Sequence, residues 1–307
     1  MQIPLETPVA LLIFNRPAET ARVFEAIRPL RPKRLLVVAD GPRDGVPGDV
    51  EACAAARAVI DKIDWPCHLQ TDYSAQNLGC RRRVSSGLDW VFSEAEEAII
   101  LEDDCLPDPS FFPYCEELLA RYRDDPRVMV ISGSNFFRRY RPTEDSYYAS
   151  RYSLIWGWAS WRKTWQEHYD VDIARWPELR DQGWLKTFLT PLEVLYWARI
   201  FDQIRDGRDT WDYSLVFACW LNDGLSLHPG RNLVSNIGWQ ANATSTTDPE
   251  SVLANLPRHR MAFPLRHPAK LERHAEADHR LEHLTFSGTL SRVMSEVRAS
   301  IAAQRRS

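Results

Sequence analysis

An α/β fold, a central sheet with helices on its faces, is predicted by two features of this 307-residue chain. Short apolar runs alternate with helical patterns through the first half, and several of those runs stop in a polar or acidic residue. The length suffices for a sizeable core, and one large domain with a helical tail is expected.

Val9 to Phe14 is a continuous apolar run and predicts the first strand. Asn15-Arg16-Pro17 then offers a capping residue and a proline suited to a first helical turn, and Val23, Phe24 and Ile27 recur at helical spacing until Pro29 and Pro32. Leu35 to Ala39 predicts strand two, closed by the turn Asp40-Gly41-Pro42. An alanine-rich helix is expected from about Gly48 to Ile63, and His68 to Thr71 forms a weaker third strand. Asn77-Leu78-Gly79 leads into a helix carrying Arg81, Arg82 and Arg83, with Val84, Leu88, Val91 and Phe92 on its apolar face. Positive charge near that helix's start opposes its dipole, so an anion is expected there; a solvated arginine face is the plain alternative.

Ala98-Ile99-Ile100-Leu101 predicts a buried strand that stops abruptly in Glu102-Asp103-Asp104. Three adjacent carboxylates repel one another and need a cation or strong donors to sit together. Oxygen-only ligands suit Mg²⁺ or Mn²⁺ better than zinc. A solvated acidic turn is the alternative, and the buried run ahead of it argues against that. Phe111 to Leu119 continues as a helix, and Val128 to Ile131 is a strand ending in Ser132-Gly133-Ser134-Asn135.

From Tyr147 the sequence turns aromatic. Seven of the 12 tryptophans fall between Trp156 and Trp197, which predicts a groove or a dense local core. Core packing suits most of them, whereas Trp156-Gly157-Trp158 is singled out because its glycine lets backbone approach a ligand. Helices are expected at about Ser160 to His168 and Leu192 to Asp206, followed by an apolar segment opened by Thr210-Trp211-Asp212. Leu225 to Leu227 and Leu233 to Ser235 are short strand candidates. The histidines beyond Pro249 are expected to be solvated surface.

A net charge of −4 gives no basic footprint for nucleic acid. Six cysteines without short paired spacings suit reduced thiols in a cytoplasmic protein. Met1-Gln2-Ile3-Pro4 lacks a charged segment followed by a long apolar one, and no run reaches membrane-spanning length; peripheral membrane association stays compatible. Neither Gly-x-Gly-x-x-Gly, Gly-x-x-x-x-Gly-Lys nor Gly-x-Ser-x-Gly occurs, so the usual phosphate cradles and the serine-hydrolase elbow are missing. Polar groups at four strand ends (Asn15-Arg16, Asp40, Glu102 to Asp104, Asn135) predict a site assembled by topology.

Together, Asn15-Arg16-Pro17, Asp40-Gly41, the arginine-bearing helix, Glu102-Asp103-Asp104 with Pro109-Ser110-Phe111-Phe112, and Trp211-Asp212 resemble the GT-A glycosyltransferases. The nearest named relatives are the inverting N-acetylglucosaminyltransferase I family and bacterial family 2-like glycosyltransferases of glycan biosynthesis. The resemblance runs from about Pro8 to Ser245. It implies a GT-A (nucleotide-diphospho-sugar transferase) fold with a mostly parallel sheet and an inverting hexosyl- or N-acetylhexosaminyl-transferase. A nucleotide-sugar-binding half (1–135) and an acceptor-side half (136–248) would form one domain, with a helical extension over 249–307. It further implies that Asp104 binds Mn²⁺ or Mg²⁺ on the donor diphosphate, that Asp103 sits toward the ribose and Glu102 toward the sugar, and that Arg16 and Asp40 hold the base. A carboxylate able to accept the uracil imide favours a UDP-sugar. Arg81, Arg82 or Arg83 would lie near the diphosphate, Asp212 would be the base, and Trp211, with Trp156 and Trp158, would face a glycan, lipid-linked or protein acceptor. A helix N-terminal turn with a buried tryptophan is the alternative for Trp211-Asp212.

Many metal-dependent members of this fold add a late histidine ligand. The matching segment, residues 236–245, has none. Two rivals remain beside the transferase: a catalytically inactive glycan- or nucleotide-sugar-binding module, and a nucleotidyltransferase. The second commonly carries a glycine-rich, lysine-bearing N-terminal loop, which Ile13 to Pro17 lacks.

Overall fold

The computed structural model describes residues 4–239 and 253–285. Its first half alternates as expected: β1 (Val9–Ile13), α1 (Pro17–Ile27), β2 (Arg34–Ala39), α2 (Asp49–Ala58), β3 (His68–Tyr73), α3 (Gly79–Glu94) and β4 (Glu97–Glu102). Then come β5 (Cys105–Pro107), α4 (Phe111–Tyr122), β6 (Val128–Ser132), β7 (Tyr147–Ser150), β8 (Trp158–Trp161), α5 (Arg162–His168) and α6 (Trp176–Asp181). The remainder is α7 (Pro191–Arg205), α8 (Asp212–Leu221), β9 (Leu225–Pro229) and β10 (Val234–Asn236).

Eight strands form one mixed sheet in the order β3-β2-β1-β4-β8-β6-β9-β7. Only β8 and β7 run against the other six. The parallel set needs covering on both faces, and alternate residues serve the two cores. Val9, Leu11 and Ile13 pack with Val23, Phe24 and Ile27 of α1 and with Phe111 and Phe112 of α4. Ala10 and Leu12 face Val84, Leu88 and Val91 of α3 and the tryptophan-rich second half. In the small second sheet β5 pairs antiparallel with β10, which fastens the chain just after the acidic triplet.

Local chemistry explains most boundaries. Pro17 opens α1, as anticipated. The second helix is shorter than its alanine content suggested, because regular α geometry ends at Ala58 and tightens to a 3₁₀ turn through Lys62. Thr190 and Glu193 form a reciprocal capping box at α7. The expected helix from Ser160 is corrected: Trp158 to Trp161 is a strand, buried on both faces between β4 and β6, and the helix starts at Arg162. Aromatic residues fit a two-sided buried strand, and pairing with Ile99 and Ile131 overrides the local helical spacing.

The tryptophan cluster is chiefly core. Trp158, Trp165, Trp176 and Trp197 are almost wholly buried, and Trp158 stacks on Trp211 at 5.7 Å. All six cysteines are unpaired. Residues 253–274 run in irregular and turn conformation, and a helix covers 275–285. This segment packs against the main sheet: Leu256, Met261, Leu265 and Leu281 are buried, Ala149 bridges Arg273, and the Asp278 carboxylate accepts from the Ser150 hydroxyl at 2.5 Å. The rest of the expected extension lies outside the described residues. Among the described residues no helix is long and apolar enough to cross a membrane.

Gly87 sets how closely α3 approaches β2. A Cβ there would overlap the Cγ1 methyl of Val38 and lie 3.2 Å from its Cγ2. Alanine normally helps a helix by about 1 kcal/mol over glycine. Gly87→Ala is nevertheless expected to destabilise by ~1–3 kcal/mol through overpacking, read as a lower midpoint in urea unfolding with an unchanged slope.

Candidate functional site

Parallel strands bring their carboxyl ends to one rim, so the residues ending β1, β2 and β4 are neighbours whatever their separation in sequence. A cleft of about 290 Å³ opens at that rim, near the low end for small-molecule sites. Glu102, Asp103 and Asp104 line it from β4, Arg16 from β1, Asp40 from β2, and Asp212 from the start of α8.

Each triplet carboxylate has its own environment. Asp103 Oδ2 accepts the Phe14 amide at 3.1 Å, while Oδ1 lies 3.5 Å from Arg16 Nη1. Asp104 Oδ2 pairs with the same Nη1 at 2.7 Å. The Asp104 carbonyl accepts from the Ile237 amide at 2.8 Å, so the β5–β10 pairing clamps the turn. Glu102 Oε1 is buried without a hydrogen-bond partner among the described residues. Burial first, then the charges of Asp104, Asp103 and Asp212, holds the Glu102 carboxyl well above the usual carboxylate range. Burial, reinforced by Asp104 and opposed by Arg16, pushes Asp103 up to about 7.

Asp40 is fully engaged by protein. Its oxygens accept from the Gly41 amide at 2.8 Å, the Leu78 amide at 2.9 Å, the Gly79 amide at 3.2 Å and Asn77 Nδ2 at 3.0 Å. It ties the end of β2 to the start of α3, and a nucleobase imide would have to displace one of these donors.

The three arginines of α3 part company. Arg82 is exposed. Arg81 leaves the cleft to donate to the Val171 carbonyl at 3.0 Å and pair with Asp172 at 2.7 Å. Arg83 alone lines the cleft, buried and engaged with the Ala39 carbonyl and Asp72. The anion expected at this helix start belongs to the protein: Asp209 accepts from the Cys80 amide at 3.1 Å and the Arg81 amide at 2.7 Å.

Asp209 also opens the segment that carries the candidate base. Asp212 begins α8, as the helix-start alternative had it, and still faces the cleft. The Thr210 hydroxyl donates to Asp212 Oδ1. Burial raises the Asp212 carboxyl above its ordinary range, and Thr210 works against that rise. Trp211 is buried but reaches the cleft wall, and Trp156 lines it half-exposed, 4.7 Å from the Phe136 ring centroid. Trp158 does not belong to the site; its indole is enclosed by Trp165 and Trp211. Gly157, at φ +66°, serves packing, since a Cβ would overlap Val234 and touch Leu101.

Sequence reasoning missed Phe14, Arg43, Asn77, Asp209, Thr210 and Asn236, all of which line the cleft. Arg43 lies 5.5 Å from the Phe14 ring centroid and pairs with Asp49 at 2.8 Å. Only Asp209 left a usable signal, an acid three residues before the candidate base that could answer the charge conflict at α3.

The site offers a divalent ion the hard carboxylate oxygens of Asp104, a donor that fits Mg²⁺ or Mn²⁺ chemistry. Among the described residues no three His, Cys, Asp or Glu side chains converge as a protein cage. An ion would thus share Asp104 with ligand or water oxygens. Residues 240–245 of the segment without histidine lie outside the described residues.

No protein-family model matches the chain, and no curated protein matches it. Among solved structures it is similar to residues 1–349 of S. aureus TarS, at 10% identity and a TM-score of 0.44 over 75% of this chain. It spans 59% of that TarS chain. A cytidylyltransferase from Leptospira borgpetersenii matches at 9% identity and a TM-score of 0.34, covering 61% of this chain and 72% of that one. A 4-diphosphocytidyl-2C-methyl-D-erythritol synthase from Anaerococcus prevotii matches at 8% and 0.37, covering 73% and 89%. At TM-scores below 0.5 none of these likenesses bears on function.

Gly238 closes one side of Asp104. A Cβ there would overlap Oδ2 and lie 2.8 Å from the aspartate Cβ. Gly238→Ala is expected to destabilise by ~1–3 kcal/mol through this overlap, read as a lower midpoint in urea unfolding with far-UV circular dichroism unchanged.

Proposed function

We propose that this chain is a glycosyltransferase of the GT-A type, transferring a sugar from a nucleotide-diphosphate donor to a hydroxyl acceptor with inversion. The observation that carries the reading is the meeting of Glu102, Asp103 and Asp104 with Asp212 in one cleft, although 108 positions separate Asp104 from Asp212. One carboxylate set suits the donor and one separate carboxylate suits the acceptor.

Asp212 acts as general base. It takes the acceptor hydroxyl's proton as the oxygen bonds to the anomeric carbon, and the bond to the donor diphosphate breaks with its electron pair leaving on that group. Such proton transfer contributes ~10²–10⁴-fold. Burial suits Asp212 to the task, since a raised carboxyl is a stronger base once ionised. Arg16 and Arg83 stand on the donor side, Glu102 Oε1 is free to accept from a sugar hydroxyl, and Trp156 and Trp211 form an acceptor-side wall. A Mn²⁺ or Mg²⁺ held by Asp104 would supply charge compensation to the departing diphosphate. A UDP-sugar is the favoured donor, with Asp40 reading the base once one of its present donors gives way. The two halves, 1–135 and 136–248, take donor and acceptor respectively, and the reaction belongs to the cytoplasm.

A panel of nucleotide sugars with Mn²⁺, followed by calorimetry and product chromatography, tests this. The native protein should bind a UDP-sugar, and Asp104→Ala should lose at least ~10-fold of that affinity. Asp212→Asn should keep the affinity within about threefold and lose transfer by ~10²–10⁴. Failure of every nucleotide sugar to bind sinks the reading, as does pyrophosphate release from a nucleoside triphosphate plus a sugar 1-phosphate. Binding without hydrolysis or transfer by the native protein would instead identify a binding module.

The pH profile adds a second check. Asp212 must be ionised to accept a proton, so transfer falls as pH drops through its raised pKa. The Thr210 hydroxyl stabilises the ionised form. Thr210→Val should therefore move the acidic limb of kcat to higher pH with donor KM nearly unchanged.

A further inference from the structure

We propose that Arg16 is a resident counter-cation that keeps a divalent ion off Asp104 until a diphosphate draws the guanidinium away, so that ion and nucleotide load together. This role rests on the donor-site reading above and adds to it an order of events built into one side chain.

Arg16 is held at its backbone, and its tip is paired with Asp103 and Asp104. Its carbonyl accepts from the Thr20 amide at 2.9 Å and the Thr20 hydroxyl at 2.7 Å, which fixes it at the mouth of α1. The side chain then crosses from the end of β1 to the end of β4, with Nη1 2.7 Å from Asp104 Oδ2 and 3.5 Å from Asp103 Oδ1. One quarter of that side chain is exposed, so the tip has room to turn toward an incoming anion.

Among the described residues, Asp104 has close neighbours on both carboxylate oxygens. Cys105 Sγ lies 3.5 Å from Oδ1, and the Gly238 backbone walls off Oδ2 so closely that a methyl group there would overlap it. Arg16 Nη1 stands on that same oxygen at 2.7 Å. Oxygens ligate Mg²⁺ at ~2.1 Å, so an ion on Oδ2 beside the present guanidinium would stand within about 5 Å of another positive charge. The two compete for one oxygen.

Other arginines of the cleft are committed elsewhere, Arg43 to Asp49 and Arg83 to Asp72. Arg16 thus answers the charge of Asp103 and Asp104 while no ligand is bound. A diphosphate offers it a better partner, because guanidinium donates to phosphate oxygens in a matched fork. Once it turns, Asp104 is exposed beside the same diphosphate whose oxygens complete an ion's shell. Coupling of this kind is reciprocal: the nucleotide raises ion affinity, and the ion raises nucleotide affinity.

The test follows Mn²⁺ binding to the full chain by the electron paramagnetic resonance of free Mn²⁺, with and without UDP. The native protein should bind Mn²⁺ weakly alone and tightly with UDP. Arg16→Gln, which keeps a hydrogen-bonding side chain and loses the charge, should bind Mn²⁺ alone at least ~10-fold more tightly, the worth of one charge-assisted contact. Arg16→Lys keeps the charge and should behave as native, and adding Asp104→Asn to Arg16→Gln should erase the gain. No gain in Arg16→Gln, an equal gain in Arg16→Lys, or a gain that survives Asp104→Asn overturns the proposal. If native protein binds Mn²⁺ with UDP but Arg16→Gln shows no gain, the donor site stands and the role of Arg16 falls. If neither protein binds Mn²⁺ or UDP, both fall together.

Discussion

Repulsion among carboxylates gathered on one rim is the constraint that the rest of this structure has to meet. A parallel sheet delivers its strand ends to the same edge, and here that edge receives Asp40, Glu102, Asp103 and Asp104, with Asp212 arriving from α8. An uncompensated buried carboxylate costs several kcal/mol, so each must find a partner or lose its charge. Asp40 is answered by backbone amides and Asn77, and Asp103 by the Phe14 amide and Arg16. Asp104 is answered by Arg16, whereas Glu102 keeps one oxygen with no partner. The inequality is informative: acids that shape loops are satisfied within the protein, whereas Glu102 Oε1 has no partner among the described residues.

Holding those acids in place falls to pairings that look minor in the topology. The three-residue β5–β10 ladder and the Ile237 to Asp104 hydrogen bond clamp the turn that would otherwise open under its own charge. Asp209 does the same on the opposite wall, fastening the segment before Asp212 to the first amides of α3. The start of α3 and the segment carrying Asp212 are therefore tied through a further carboxylate.

How much of this was legible depended on whether the information was local. The continuous apolar run of β1, the proline at the head of α1 and the abrupt change from Leu101 to Glu102 are short-range signals, and each element appears where they put it. The acidic triplet, Arg16 and Asp212 were likewise visible as residue types at element ends. What could not be read was direction: Arg81, Arg82 and Arg83 are consecutive on one helix, about 100° apart, so only one of them faces the cleft. Trp156 and Trp158 raised a different difficulty. Their shared motif looked like a platform, but the tertiary pairing of β8 with β4 and β6 buries the second tryptophan entirely. Asp40 was found by position, and its saturation by amides from Leu78 and Gly79 is a property of the folded loop alone.

The place of β8 has a consequence for how the chain is made. Residues 98–100 of β4 pair with Trp158 to Ser160 on one side, and β1 covers only the other. On the ribosome, the apolar edge of β4 thus emerges well before its partner, and at ~5–20 residues per second the wait is about 3–12 seconds. An unpaired hydrophobic strand edge is a template for mispairing with other chains. During that interval the nascent protein is a natural client for chaperones that shield exposed strands, and a pause in synthesis is safer once Trp161 itself has emerged than while β4 alone is exposed.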